Sequence, residues 1–348
     1  MFAPKFKIVV HASYHTPIEV YFSENDHPGT AKKKWRNSLF MSMRADELDP
    51  ELAATIEGIE TIGVPSWSEL SVESGRSIED ELFTTGGGPE MDFVRNLAFD
   101  GPAGDIPIRV FRPAVDKPLP TLVYYHGGGW VLGTLDSVEN ICRELAARAE
   151  CIVVSVDYRL APEHQFPAAV DDAYAALEWT AENDDVFGGD GRIAVGGTSA
   201  GANLAAVTAL RVNERGGPDL TRQVLLYPIT DHSLDTDSYQ ANADGPLLTR
   251  ADMAWFWDHY LRSPVDGYNP FASPLRMDDL SGVAPATVVT AGFDPLCDDG
   301  AAYADKLQNH GVGVDYLHFP SMAHGFLSLT DDVSTANEAM DAVAASIW

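Results

Sequence analysis

The sequence predicts an α/β fold, a mostly parallel eight-stranded sheet with helices on both faces. Apolar runs of strand length alternate along the chain with segments whose apolar residues recur at helical spacing. Of the 348 residues, 45% are hydrophobic, enough for one large core rather than two independent domains. No internal repeat, low-complexity tract or apolar span of membrane length interrupts the pattern, which sets aside solenoid and helical membrane-spanning architectures.

Residues 92–99 and 105–111 read as an antiparallel lead-in hairpin. Thr121-Leu122-Val123-Tyr124-Tyr125 opens the parallel part, followed by strands at 151–157, 192–197, 222–227, 286–292 and 312–319. Helices are predicted over 137–149, 167–183, 200–214 and 298–310, and 334–347 closes the chain. Within 200–214, Leu204, Val207 and Leu210 stand at helical spacing among alanines. The strand at 312–319 is the last of its series and is expected to be a sheet edge with unpaired backbone groups.

Two stretches lie outside this core. Residues 43–90 are helical and loop-like, with a break at Gly86-Gly87-Gly88-Pro89. Residues 231–275 interrupt the sheet order and carry Trp255-Phe256-Trp257, whose two tryptophans must point to different faces of a helix. The first 42 residues differ in composition. They hold five of the seven lysines (Lys5, Lys7, Lys32, Lys33, Lys34) and Arg36, against Glu19, Glu24 and Asp26, a net charge of +3. The remainder therefore carries −32 of the chain's −29. The run Ile8-Val9-Val10 is soon broken by His11, so a secretory signal is not expected. Residues 1–42 read as an appended leader ahead of a catalytic domain at 91–348.

The most specific segment is Gly197-Thr198-Ser199-Ala200-Gly201, which fits G-x-S-x-G. It lies between a short apolar strand and an alanine-rich helix, the setting of a nucleophile elbow. Gly197 and Gly201 let strand and helix backbones approach closely, and the helix N-terminus behind Ser199 places positive dipole where an oxyanion would form. A second segment, His126-Gly127-Gly128-Gly129-Trp130, follows the strand at 121–125 and exposes backbone N–H groups of the kind acyl transfer needs. No Lys-Ser or Lys-Thr follows it and it lacks the G-x-G-x-x-G spacing, so a phosphate cradle is disfavoured.

At these residues the chain resembles the hormone-sensitive-lipase-like esterases, a bacterial and archaeal family of α/β-hydrolases. Asp157-Tyr158-Arg159-Leu160-Ala161-Pro162-Glu163-His164, then Phe166-Pro167-Ala168-Ala169 and Asp171-Asp172, is similar to that family's hallmark run. Gly292-Phe293-Asp294-Pro295-Leu296 and His324-Gly325-Phe326 look like its acid and base segments. Most relatives have Asp where Thr198 stands; this chain resembles the smaller subgroup with Thr, and Ala202 stands where that subgroup often has glycine. The resemblance implies an α/β-hydrolase fold with a small helical cap built from residues 43–90 and 231–275. It also implies hydrolysis of short-chain acyl esters, and a homodimer formed by pairing the 312–319 edge across a two-fold axis. Among the glycines it favours Gly128 and Gly129 as oxyanion donors beside Ala200, with Gly127 shaping the turn.

A serine hydroxyl needs a base within hydrogen-bond reach, and an α/β-hydrolase orders its triad serine, acid, histidine. After Ser199 come His232, His259, His310, His318 and His324. His318 lies in an alternating strand, His310 stands at a helix end, and His259 sits in the aromatic run. His232 precedes the acid. His324 follows the last strand in a loop and is the best base. Asp294, at the end of the strand 286–292, is preferred as acid. Asp298 and Asp299 compete from the first turn of the next helix, where acidic residues are common for dipole reasons alone. An amidase or carbamate hydrolase would use the same triad. A small-molecule receptor on this fold is the non-enzymatic alternative, but resembling receptors have lost the base that His324 supplies.

The cysteines Cys142, Cys151 and Cys297 are odd in number and form no C-x-x-C, which points to a reduced, cytoplasmic protein. No metal-ligand spacing occurs, so neither metal nor cofactor is expected. The partner expected is a small ester. A core at −32 is hostile to nucleic acid and to anionic membranes, so neither nucleic-acid binding nor stable membrane insertion is expected. With only Lys117 and Lys306 outside the leader, the composition resembles adaptation to high salt. Salt screens the mutual repulsion of these carboxylates, and most of the screening is complete near about 1 M, where the Debye length is about 3 Å. The melting temperature is therefore expected to rise between about 0.1 M and about 1 M KCl. A flat or falling series in both KCl and NaCl would remove the salt-adaptation reading.

Overall fold

A computed structural model of the chain describes residues 8–10, 18–20, 43–84 and 87–348. Its strands form one ten-stranded sheet: β1 (Ile8–Val10), β2 (Ile18–Val20), β3 (Phe93–Gly101), β4 (Gly104–Arg112), β5 (Leu119–Tyr125), β6 (Ile152–Val156), β7 (Gly189–Thr198), β8 (Leu220–Leu226), β9 (Ala286–Phe293) and β10 (Val314–Ala323). Their order is β2-β1-β10-β9-β8-β7-β5-β6-β4-β3. Neighbours from β6 across to β1 pair parallel, whereas β3–β4, β4–β6 and β1–β2 are antiparallel. β3 and β4 are the expected lead-in hairpin. The eight predicted strands are present, joined by two short strands from the first 42 residues.

The central strands are apolar along their whole length because both faces are covered. Every residue of β5, β6 and β9 is buried. Alternation along β5 sends Val123 and Tyr125 into one core and Leu122 and Tyr124 into the other. The first core is closed by α4 (Ala168–Asn183), α5 (Ala200–Arg215) and α8 (Cys297–Asn309). The second is closed by α1 (Pro50–Ile62), α3 (Glu139–Arg148) and α9 (Ser334–Ser346). The alanines of α5 let it lie close on the sheet, and its residues 200–210 are all buried.

The hallmark run 157–172 acts as a clamp between loop and helix. Arg159 donates through its backbone N and Nε to Asp172 Oδ2 (3.0 and 2.8 Å) and through Nη2 to Oδ1 (2.6 Å). Asp172 is fully buried, and this fork supplies hydrogen bonds to both of its oxygens.

Residues 43–90 divide in two. Asp49 caps α1, whose Leu52 and Ile56 join the second core, and Thr335 Oγ1 donates to Asp49 Oδ2 at 2.9 Å. The next helix, α2 (Val72–Phe83), is capped by Ser71 and lies against the loop that follows β5. The segment 231–275 supplies α6 (Asp237–Ala241) and α7 (Arg250–Tyr260), the latter started by a reciprocal Thr249–Asp252 capping box. Ser68 N donates to Asp252 Oδ1 at 2.8 Å and joins the two segments.

The expectation that 312–319 forms a sheet edge is corrected. Ile8–Val10 runs parallel to Tyr316–His318 and occupies that edge. The Ile8-Val9-Val10 triplet provides backbone partners the edge would otherwise lack. A homodimer through this strand would require β1 to leave.

Glu79 on α2 is 8% exposed, and its Oε2 has no hydrogen-bond partner among the described residues. Burial is the main cause that pushes its carboxyl up from 4.5 to about 7, with Asp80 adding to the shift and Ser137 opposing it. A folded pKa above the unfolded one means stability that is complete below about pH 4.5 and lost as pH rises through about 7. Glu79→Gln is therefore expected to melt above the wild type at about pH 8, with the gap closing on acidification toward about pH 4.5. A gap that stays constant with pH in thermal melts would show that Glu79 does not titrate in this window.

Candidate active site

The parallel register aligns the C-terminal ends of β5, β7, β8, β9 and β10 along one rim of the sheet, where open α/β sheets hold their ligands. Ser199 stands between β7 and α5 with φ +56° and ψ −114°, a conformation L-residues rarely adopt. It is held there by its own backbone, as its N–H donates to Leu226 O at 2.9 Å. The flanking glycines are sterically required. A Cβ on Gly201 would lie 1.9 Å from Tyr125 O and 2.4 Å from His126 O; one on Gly197 would lie 2.4 Å from the Gly201 carbonyl carbon. Thr198, before the serine, hydrogen-bonds the buried Tyr124 hydroxyl.

His324 sits just past the end of β10 and Asp294 just past the end of β9. His324 Nε2 lies 3.1 Å from Ser199 Oγ, and Nδ1 lies 2.8 Å from Asp294 Oδ2. Nδ1–H donating to the carboxylate leaves Nε2 with a lone pair toward the serine. Asp294 is fully buried, and its Oδ1 accepts from Leu296 N at 2.8 Å. Two residues that sequence reasoning missed support this pair. Asn242 on the loop after α6 donates to Asp294 O at 3.1 Å, and the Tyr227 ring meets the imidazole edge-on at 4.9 Å between centroids. Neither contact has a local sequence signal.

The glycine loop stands beside the serine. A Cβ on Gly127 would be 3.7 Å from Ser199 Cβ. Gly128 (φ +95°), Gly129 (φ +59°) and Trp130 (φ +64°) form a left-handed run closed by Val131 N and Leu132 N donating to Gly128 O at 3.0 and 2.8 Å. A Cβ on Gly128 would meet Leu132 O at 2.3 Å, and one on Gly129 would meet the Phe256 ring at 2.1 Å. Behind the loop, His126 is fully buried, stacks on Tyr158 at 4.2 Å and bonds Gly127 O through Nδ1 at 2.8 Å. Burial holds its imidazole down to about 4, so it braces the loop as a neutral group. Ala200 is the first residue of α5, directly behind Ser199, where first-turn amides have no partner within the helix.

The competing residues lie elsewhere. Asp299 is buried and accepts from Thr230 N and Asp231 N at 3.0 and 3.1 Å; burial holds its carboxyl well above the usual range. Asp298 accepts from Ser238 N at 2.9 Å. His318 is buried between Thr290 and the Met43 carbonyl, and burial lowers it to about 4. His310 ends α8, bonded to Lys306 O at 2.8 Å. His259 bonds Trp255 O, and His232 meets Trp257 edge-on. Trp257 is buried against Trp130, whereas Trp255 lies partly exposed on another face of α7. Among the described residues, no group of three or more histidines, cysteines or carboxylates is placed to hold a metal ion.

A hydroxyl, an imidazole and a buried carboxylate in line, beside a loop of left-handed glycines and a helix N-terminus, can carry out nucleophilic acyl transfer. A family model described as the alpha/beta hydrolase fold matches residues 122–328. The chain is 42% identical over 311 residues to the carboxylic ester hydrolase LipN of Mycobacterium tuberculosis, covering 87% of this chain and 83% of that protein. It is 36% identical over 307 residues to an ethyl acetate hydrolase of Pseudomonas putida, covering 84% and 96%. Among solved structures, an ester hydrolase from the metagenome of Lake Arreo, complexed with a bipyridine phosphonate derivative, superposes with a TM-score of 0.82 at 41% identity, covering 86% of this chain and 98% of that one. Motifs, sheet order and these likenesses together show that the chain belongs to the α/β-hydrolase family, in its hormone-sensitive-lipase-like branch.

Proposed function

We propose that the protein is a serine carboxylic-ester hydrolase acting on short-chain acyl esters, with Ser199 as nucleophile, His324 as general base and acid, and Asp294 as the orienting carboxylate. The observation that carries this is the unbroken chain Ser199 Oγ–His324 Nε2 (3.1 Å) and His324 Nδ1–Asp294 Oδ2 (2.8 Å). As Oγ attacks the ester carbonyl, its proton passes to Nε2, and the carbonyl electrons move onto oxygen. The backbone amides of Gly128, Gly129 and Ala200 receive that oxyanion. Asp294 stabilises the imidazolium without taking its proton. His324 then protonates the departing alkoxide, and the ester C–O bond breaks to leave an acyl-Ser199. Water repeats the sequence, with His324 as base, and the acid is released.

The names of the relatives support an ester substrate, and ethyl acetate in one of them supports a short acyl group. Amide or carbamate hydrolysis would use the same residues. No described helix is long and apolar enough to cross a membrane. The three cysteines are buried free thiols, which supports a reduced, cytoplasmic setting.

Ser199→Ala should fold as the wild type and lose on the order of 10⁴-fold or more in turnover. A p-nitrophenyl ester series from acetate to palmitate, run beside the matching anilides, should show the highest kcat/KM at the short esters. A folded Ser199→Ala variant keeping over about a tenth of wild-type turnover, far above what loss of a triad member allows, would exclude this nucleophile. Asp294→Asn should cost about 10⁴-fold in kcat by favouring the wrong imidazole tautomer. Asp299→Asn keeps an acceptor for Thr230 N and Asp231 N and should cost far less. Equal losses in the two would contradict the assignment of the acid.

A further inference from the structure

Helix α2 touches the glycine loop with one face. A Cβ on Gly75 would lie 3.3 Å from Leu132 Cδ2, so the helix backbone is close to that side chain. One turn on, Asp80 Oδ1 accepts from Thr134 Oγ1 at 3.2 Å. Between them Arg76 spreads its guanidinium over acceptors of three residues. Nε donates to Val131 O at 2.9 Å, and Nη2 donates to Ala161 O at 2.9 Å. Nη1 and Nη2 also meet the two oxygens of Glu163 at 2.8 and 2.7 Å.

Val131 helps to close the left-handed run, since its N–H, like that of Leu132, donates to Gly128 O. Ala161 in turn donates its N–H to Trp130 O at 2.9 Å. One planar fork thus holds two carbonyls that border the turn carrying Gly128, Gly129 and Trp130. That turn includes a tryptophan at φ +64°, a conformation that persists only where its surroundings over-determine it. A guanidinium suits this task because its donors are fixed in a plane, whereas an ammonium acts as a point charge.

We infer that Arg76 is a positioning residue for the oxyanion loop, so that helix α2 is part of the apparatus that meets the transition state. The inference rests on the serine-esterase reading above. Arg76 touches no reacting atom; it fixes where the loop amides point. Oxyanion donors act only when aimed at the position the charged oxygen takes in the transition state, so a loosened loop weakens transition-state binding more than substrate binding.

The experiment compares wild type with Arg76→Met, Arg76→Lys and Glu163→Gln. Arg76→Lys keeps the charge but loses the fork. Glu163→Gln removes the ion pair and leaves both carbonyl contacts in place. Each is assayed on p-nitrophenyl acetate for kcat, KM and pH profile, and for inhibition by an alkyl trifluoromethyl ketone. Ser199 adds to that ketone to give a stable tetrahedral oxyanion. Both Arg76 variants should lose about ten- to a hundredfold in kcat, with KM within about twofold. Ketone affinity should fall in proportion to kcat/KM, the pH profile should not move, and Glu163→Gln should stay within about threefold of wild type.

The inference is overturned if either folded Arg76 variant keeps kcat within threefold of wild type, or if kcat falls while ketone affinity does not. It is also overturned if Glu163→Gln loses as much as Arg76→Met, or if both Arg76 variants unfold while Glu163→Gln stays folded, since the side chain would then serve the fold at large. Failure of the serine-esterase reading is distinguishable, because the wild type would then hydrolyse no ester or would not be inhibited by the ketone.

Discussion

Three backbones meet at Gly201 with no room for a side chain. The end of β5, the end of β7 and the first turn of α5 converge there, and a Cβ would overlap the carbonyls of Tyr125 and His126. This contact fixes the site. It forces the chain through Ser199 in a left-handed conformation, so that the hydroxyl stands on the rim of the sheet. It also places the residues that follow β5, which are the glycine loop, directly beside the serine. Ser199 and the loop amides are therefore positioned by one close approach rather than by two independent features.

The remaining groups arrive along the parallel register. Leu226 pairs with Val289, and Ala291 pairs with Phe319, so the turns after β9 and β10 deliver Asp294 and His324 to the same rim. The outer segments then hold the loop from two directions. α2 bonds it through Arg76 and Asp80. α7 packs on it with aromatic rings: Phe256 against Gly129, and Tyr260 stacked on Trp130 at 4.1 Å with an interplanar angle of 5°. Ser68 N to Asp252 ties the two segments together. The cover and the loop form one packed unit, and this packing supports the geometry of the loop.

What the sequence disclosed follows from the range of the interactions involved. The elbow was legible because its steric demand is local: two glycines four apart around a serine, between an apolar strand and an alanine-rich helix. His324 and Asp294 were legible because each follows a strand in the chain order such a fold requires. Arg76, Asn242 and Tyr227 gave no signal, because their roles depend on contacts with residues tens of positions away, as in the 55 residues that separate Arg76 from Val131. The end of β10 was also missed. Pro320 reads as a strand breaker, yet pairing resumes at Ala323 after an irregularity, and the Pro320 carbonyl accepts from Ala45 N at 2.9 Å. The edge at 312–319 was misjudged because the pairing of Ile8–Val10 joins segments some three hundred residues apart.

The most direct test of the elbow as the centre of reactivity is covalent labelling. The wild-type protein would be treated with a p-nitrophenyl alkylphosphonate, whose phosphorus takes the serine oxygen and expels p-nitrophenolate. Release would be titrated against protein, and the labelled peptide identified by mass spectrometry. The structure predicts one p-nitrophenolate per chain, one adduct on the peptide containing Gly197–Gly201, and loss of esterase activity in step with labelling. An adduct on another peptide, or activity that survives full labelling at Ser199, would contradict it.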